Sequence, residues 1–308
     1  MFSYDKVKNH PKLLLAMTSL TRAEFEQLLV PFQVAWKAHA EQAAAPEQSR
    51  QRQAGAGRKP ALRTVADKLL FILYYFKAYP LQEILAFEFG MSQGQACEWI
   101  ETLSQVLKQT LSTLGLLPER DPAQLATKLA VEGETKLGID GTERRIQRPK
   151  DNVKQTEHYS GKKKAHPVKN TVVVGLESRR VKYLSGTYEG KKHDKKICDE
   201  EQLTFPPDIS LYKDTGFQGY EPMGVHTYQP KKKPRGQDLS DEDRELNHLI
   251  SKVRIIAEHV ICGIKRCRIL KDVFRNTRDG FADLVAEIAC GLHNFRTQCR
   301  SKLKTVAA

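Results

Sequence analysis

Residues 136–145 read KLGIDGTERR and residues 209–220 read ISLYKDTGFQGY. In each, a short apolar run with β-branched residues leads directly into an aspartate, so Asp140 and Asp214 are expected at or near the ends of strands. Outward from these two segments, the pattern predicts further strands at residues 170–176 and 181–188, a helix at 193–202, and long helices at about 241–268 and 278–299. Strands alternating with helices argue an α/β class for this part of the chain.

A third carboxylate, Glu258, lies in SKVRIIAEHVICGIKRC, residues 251–267. At about 100° per residue, Asn247, Ser251, Arg254, Glu258 and Lys265 fall in one narrow sector of a helix. Leu246, Ile250, Val253, Ala257 and Ile264 form a broad apolar sector beside it. Such a helix buries one side and presents a polar stripe along the other. Taken singly, each acid has an ordinary reading. Aspartate at a strand end is commonly a turn or cap residue, and Arg254 with Glu258 makes a four-residue surface pair. Together, three carboxylates are what two hard divalent cations need for in-line attack on a phosphodiester, because magnesium and manganese prefer oxygen ligands.

The spacing of Arg254, Glu258 and Lys265 resembles the helix signature of the DDE-superfamily transposases. With IDGT at Asp140, YSGKKK at 159–164, HDKKI at 193–197 and KDTGFQGY at Asp214, the chain resembles their insertion-sequence-five and PIF/Harbinger branch over roughly residues 136–299. Ser251 stands where that signature often has tyrosine. The resemblance implies an RNase H-like catalytic domain, a mixed sheet flanked by helices, using two magnesium or manganese ions. It also implies strand cleavage followed by joining to target DNA, with Asp140, Asp214 and Glu258 as metal-binding and catalytic acids. Lys265 and Arg254 would hold phosphate oxygens. A dimer or higher assembly on DNA follows from reaction at two element ends. Asp194, in GTYEGKKHDKK, competes with Asp214 as second acid; it precedes a helix, where aspartate is an ordinary N-cap. Asp214 is preferred because it follows ISLY and is soon followed by Gly216, which permits a sharp turn and close approach of DNA. His193 is a candidate phosphate contact.

Composition points to a polyanionic partner independently. The 308 residues hold 50 Lys plus Arg against 37 Asp plus Glu, a net charge of +13, which favours double-stranded DNA through phosphate contacts and counterion release. Residues 144–196 concentrate the excess, with 16 basic and 5 acidic side chains. Lys162, Lys163 and Lys164, like the pair at 191–192 and the run at 231–233, are either phosphate contacts or solubilising surface. No apolar run reaches membrane-spanning length and the first residues, MFSYDKVKNHPK, lack a signal-peptide pattern, so a soluble protein of the bacterial cytoplasm, associated with the nucleoid, is expected. The six cysteines are too scattered for a zinc ribbon.

The first third has another character. Residues 17–44 read as a helix capped by Thr21 and kinked or interrupted at Pro31. A trio follows: a helix at 62–77, LQEILAFEFG, and a helix capped by Ser92. The short FGMS break between the last two has helix-turn-helix spacing, with Gly90 at the turn. In that arrangement Ser92, Gln93, Gln95 and Glu98 open the helix that reads the major groove. The expected organisation is therefore an N-terminal helical segment (1–50), a basic flexible linker (51–60), an all-α helix-turn-helix domain (61–117), a second linker (118–134) and the catalytic domain (135–308). Two competing functions remain: a non-catalytic DNA-binding regulator derived from a transposase, and a nuclease of the same fold that cuts without joining. Retention of all three acids argues against the regulator.

Overall fold

The computed structural model describes residues 1–43, 60–236 and 238–306. Nearly all of the basic 51–60 stretch lies outside these. Two compact units are present. One comprises the described residues of Met1–Leu117, Arg266–Ile269 and Leu284–Ala308; the other comprises those of Pro118–Lys265 and Leu270–Asp283.

The first unit is helical: α1 (Tyr4–Val7), α2 (Pro11–Thr18), α3 (Arg22–Ala43), α4 (Val65–Ala78), α5 (Gln82–Phe89) and α6 (Gln93–Thr113). Thr21 caps α3, its hydroxyl accepting from the Glu24 N–H while the Glu24 carboxylate accepts from the Thr21 N–H. Of the two outcomes expected at Pro31, interruption does not occur: α3 runs through it. Phe25, Leu28 and Phe32 lie fully buried on both sides of the proline, and that shared apolar face keeps the two halves in one helix despite the lost backbone bond. Reciprocal capping boxes start α4 at Thr64 and α6 at Ser92. Gly90 ends α5 at φ +70°, as the helix-turn-helix spacing requires.

The second unit opens with α7 (Pro122–Glu132), where a linker is expected from sequence. Asp121 caps this helix, and Leu125 and Leu129 are buried in the core of the sheet that follows, which makes the segment part of the domain. The remaining elements are β1 (Lys136–Arg145), α8 (Asn152–His158), β2 (Pro167–Gly175), β3 (Val181–Leu184), β4 (Tyr188–Glu189), α9 (Asp194–Glu201), β5 (Ile209–Lys213), β6 (Val225–Tyr228) and α10 (Asp241–Ile264). Strand order is β3-β2-β1-β5-β6, with β4 beside β2. The β1–β2 and β2–β3 pairs are antiparallel, whereas β1–β5 and β5–β6 are parallel. This mixed sheet with flanking helices is the RNase H-like fold. The stretch read from sequence as one strand at 181–188 is two, and β6 has too little apolar patterning to be foreseen.

The period-two alternation of β1 sets the rest. Leu137 and Ile139 join the core cluster with Leu125 and Leu129 of α7, while Gly138 faces Ala257 of α10. An added Cβ at Gly138 would stand 3.1 Å from that of Ala257, so the glycine allows α10 to lie close on the sheet. Asp140, two residues on, shares the α10 face. On α10 itself Ile250, Ala257, Val260, Ile261 and Ile264 are buried as the periodicity predicts, but Leu246 is 43% exposed. A final helix, α11 (Phe281–Val306), begins in the second unit and enters the first at Leu284. Most of it lies in the first unit, where Leu111 of α6 stands against Gly291.

Gly90→Ala should lower the unfolding free energy by about 1–2 kcal/mol, since an L-residue there adopts a left-handed conformation and its Cβ would run into the Met1 side chain. Urea denaturation followed by circular dichroism measures this; an unchanged midpoint would mean that the turn relaxes freely.

Candidate active site

Two neighbouring strands bring the first two acids together. The β1–β5 ladder runs parallel and ends with Ile139 opposite Lys213, so Asp140 and Asp214, the next residue on each strand, leave the ladder side by side. The first carboxylate is not at a strand terminus as expected, because β1 continues to Arg145 paired with β2 alone. It lies at the end of the parallel ladder. Asp140 Oδ1 accepts from the Gly141 N–H at 2.7 Å, and Asp214 Oδ1 accepts from the Thr215 N–H at 2.7 Å. Beyond Asp214 the chain turns through a short 3₁₀ segment, Thr215–Phe217. The buried ammonium of Lys213 donates to the Tyr220 carbonyl and to the Glu221 carboxylate, and the Gln229 amide donates to the Asp214 carbonyl. These bonds fix the backbone that presents Asp214.

From α10, Arg254 meets Asp214 with Nη2 to Oδ1 at 3.3 Å. Glu258, one turn on, is exposed, and its charge reaches Asp140. Burial pushes the Asp140 carboxyl up to about 6; the Gly141 N–H and Arg254 oppose the rise, and Asp214 and Glu258 add to it. Lys265, the C-cap of α10, is held below its ordinary value chiefly by burial and then by Lys163, with Cys262, Glu143 and Asp140 acting in the opposite direction. Asp140, Asp214, Glu258, Arg254 and Lys265 thus belong to one electrostatic neighbourhood.

Among the described residues, no three His, Cys, Asp or Glu side chains close into a coordination shell. The donor set nonetheless fits a hard divalent cation: oxygen ligands alone, with Asp140 strained by burial and by two neighbouring carboxylates. Asp140, Asp214 and Glu258 are the residues that would hold it.

The other residues read from sequence are placed as follows. Lys162, Lys163 and Lys164 form an exposed turn closed by the Ser160–Ala165 bridge, with Lys163 Nζ 3.6 Å from Glu143. Beside that turn, a cleft of about 420 Å³ is lined by Arg148, Gln155, Tyr159, His166 and Lys191. His193 is exposed at the N-cap of α9 and makes no side-chain cap bond. Lys192 lies over the Tyr188 ring and pairs with Glu200, and Lys231 and Lys233 pair with Asp243 and Asp238. In the helical unit, the Ser92 hydroxyl accepts from the Gln95 N–H and the Gln95 amide oxygen from the Ser92 N–H. Gln93 Nε2 donates to Gln82 at 2.6 Å. Both glutamines remain exposed but are engaged at the helix start. Sequence reading missed Lys169, a cation with its side chain only 8% exposed between Glu143 at 3.5 Å and Asp194 at 3.3 Å. No periodicity marks it, because β2 is buried along its whole length.

An RNase H-like sheet with acids on two adjacent strands and a helix laid across them defines a nuclease-type site. The chain belongs to the DDE superfamily endonucleases: that family's model matches residues 139–294, and the model for the helix-turn-helix of DDE superfamily endonucleases matches residues 60–113. It is 26% identical over 239 residues, 78% of this chain and 83% of the relative, to a protein described as the probable transposase for insertion sequence element IS702 of Microchaete diplosiphon. No solved structure matches. No helix among the described residues is long and apolar enough to cross a membrane.

The raised Asp140 carboxyl gives a stability test. Because its folded-state value of about 6 exceeds the ordinary 3.8, the ionised group destabilises the fold; that cost is absent below the ordinary value and complete above about 6. In cation-free buffer at pH 8, Asp140→Asn should raise the unfolding free energy by on the order of 2 kcal/mol. The gain should disappear as the pH falls towards 4. Parallel urea-midpoint curves for the two proteins across that range would count against it.

Proposed function

We propose that this chain is a DNA transposase that binds the ends of its mobile element, cleaves DNA there and joins the freed ends to target DNA. The observation that carries the reading is the end of the β1–β5 ladder, where Asp140 and Asp214 emerge together under the helix that bears Arg254 and Glu258. Family membership makes it a DDE endonuclease, and the relative's description extends the reading to transposition of an insertion sequence.

In this scheme Asp140, Asp214 and Glu258 would hold the divalent cations, magnesium or manganese, which would supply polarisation of the scissile phosphate and easier ionisation of the attacking oxygen. Arg254 orients the Asp214 carboxylate through their ion pair and shares its charge with Asp140. Lys265, half-buried beside Asp140 and Glu143, holds a phosphate oxygen of the strand being cut. The exposed turn of Lys162, Lys163 and Lys164 follows the backbone of the same DNA, with His193 as a further phosphate contact. Ser92, Gln93 and Gln95 open the reading helix of the helix-turn-helix, where the two glutamines exchange their local bonds for base edges on binding. Two element ends require two active sites, so the acting form is a dimer or larger assembly on double-stranded DNA.

Replacing Asp140, Asp214 or Glu258 with Ala should abolish magnesium-dependent cleavage of element-end DNA while leaving binding to that DNA nearly intact in a gel-shift assay. Cleavage at the wild-type rate by any of the three would remove that acid from the site. Product analysis on a supercoiled target separates transposition from simple cutting: joined products support the proposal, and cleaved ends that never join reduce the protein to a nuclease.

Lys265→Ala should slow cleavage or joining at least roughly tenfold, about 1.4 kcal/mol in the barrier, with little change in melting temperature. Wild-type kinetics in this variant, beside an inactive Glu258→Ala control, would mean that the lysine is surface charge.

A further inference from the structure

We propose that the cleft beside the turn of Lys162, Lys163 and Lys164 binds one unpaired nucleotide of a DNA strand, the base stacking on Tyr159 and the phosphate meeting Arg148 and Lys191. That the strand is DNA rests on reading the chain as an enzyme of element-end DNA; the cleft rests on its own residues. Among the described residues its lining is Arg148, Gln155, Thr156, Tyr159, His166 and Lys191, with two cations and no carboxylate. Its volume of about 420 Å³ falls in the range of pockets that take a small organic group.

Three short pieces of chain build it. Asp151 caps α8 by accepting from the Lys154 N–H, and Tyr159 closes the same helix as its C-cap. The Ser160 N–H then donates to the Ala165 carbonyl at 2.9 Å and folds the lysine turn back. His166 thereby returns against Tyr159, with ring centroids 5.5 Å apart and planes at 58°. The Ile146 N–H donates to the His166 carbonyl at 2.9 Å, which ties this wall to the chain just beyond β1, two residues before Arg148. Both cations are positioned by bonds to α8. Arg148 Nε donates to Gln155 Oε1 at 2.9 Å, and the Lys191 N–H donates to the Glu157 carbonyl at 3.2 Å.

The frame is held while its working groups stay open. Lys163 pairs with Glu143 and Lys192 with Glu200, whereas Lys191 Nζ and the Arg148 Nη groups meet no acceptor among the described residues. The tilted imidazole flanks Tyr159 and leaves it 45% exposed. An open aromatic face beside uncommitted cations suits a base released from its stack, together with its phosphate. A paired base presents only its edges in the grooves and cannot use that face.

The test uses the full chain in metal-free buffer, with fluorescence anisotropy on oligothymidylate of about ten nucleotides and on a mixed-sequence duplex of equal length. Neither probe contains an element end, so a failed transposition assay and a failed cleft are told apart. Tyr159→Ala should weaken single-strand binding roughly tenfold, the loss of one stacked base. Tyr159→Phe should keep it, and duplex binding should be unchanged in both. Arg148→Ala and Lys191→Ala should each lower the salt slope of single-strand binding by roughly 0.7, a reading that stands even if Tyr159→Ala fails to fold. A strand carrying 5-iodouracil should crosslink under ultraviolet light to Tyr159 or His166. Wild-type single-strand affinity in Tyr159→Ala, an equal loss on single strand and duplex, or crosslinks confined to other residues would overturn the proposal. Competition by thymidine monophosphate in the oligonucleotide's own concentration range would overturn it too, making the cleft a free-nucleotide site.

Discussion

The parallel pairing of β1 with β5 is the constraint on which the site depends. It joins segments that are remote in sequence, and its register, Ile139 opposite Lys213, decides that Asp140 and Asp214 emerge together. A slip of one residue would turn every side chain of β1 to the opposite face. Asp140 would then point into the core with Leu125 and Leu129, where an ionised carboxylate has no compensation. The same alternation that buries Leu137 and Ile139 therefore aims the acid at α10. Core packing and site geometry are one choice of register.

Having gathered carboxylates on one side of the sheet, the fold must tolerate their mutual repulsion. Arg254 on Asp214 relieves part of it. The remainder appears in Asp140, whose affinity for a proton is raised by burial and by its neighbours. Such a centre is less stable than an apolar one would be and correspondingly receptive to a cation. Close approach is obtained by removing side chains: Gly138 admits α10, and Gly141 and Gly216 admit Asp194.

In the helical unit the groups proposed for recognition also serve structure. Ser92 and Gln95 satisfy backbone N–H groups at the start of α6, which any helix needs. Gln93 is tied to Gln82 of the preceding helix. These bonds orient the helix start while leaving its polar edges exposed. The last helix adds to this unit, its Gly291 lying close to Leu111 of α6.

Local patterning alone encodes the pieces of the site. The strands bearing Asp140 and Asp214, the amphipathic helix bearing Arg254 and Glu258, the Ser92 cap and the Gly90 turn are each written in a handful of consecutive residues. Their physical causes, side-chain period, capping and left-handed φ, act over the same short range. Tertiary structure decided the rest. That 118–134 is a helix and not a linker depends on Leu125 and Leu129 finding the sheet. That α3 survives Pro31 depends on its buried face, and that most of α11 belongs with the first unit depends on its partners. That Asp214, and not Asp194, comes to lie beside Asp140 under α10 rests on the parallel register of β1 and β5. Asp194 meets the sheet at Gly141, on the side of β1 that Leu137 and Ile139 bury, and only folding assigns those faces.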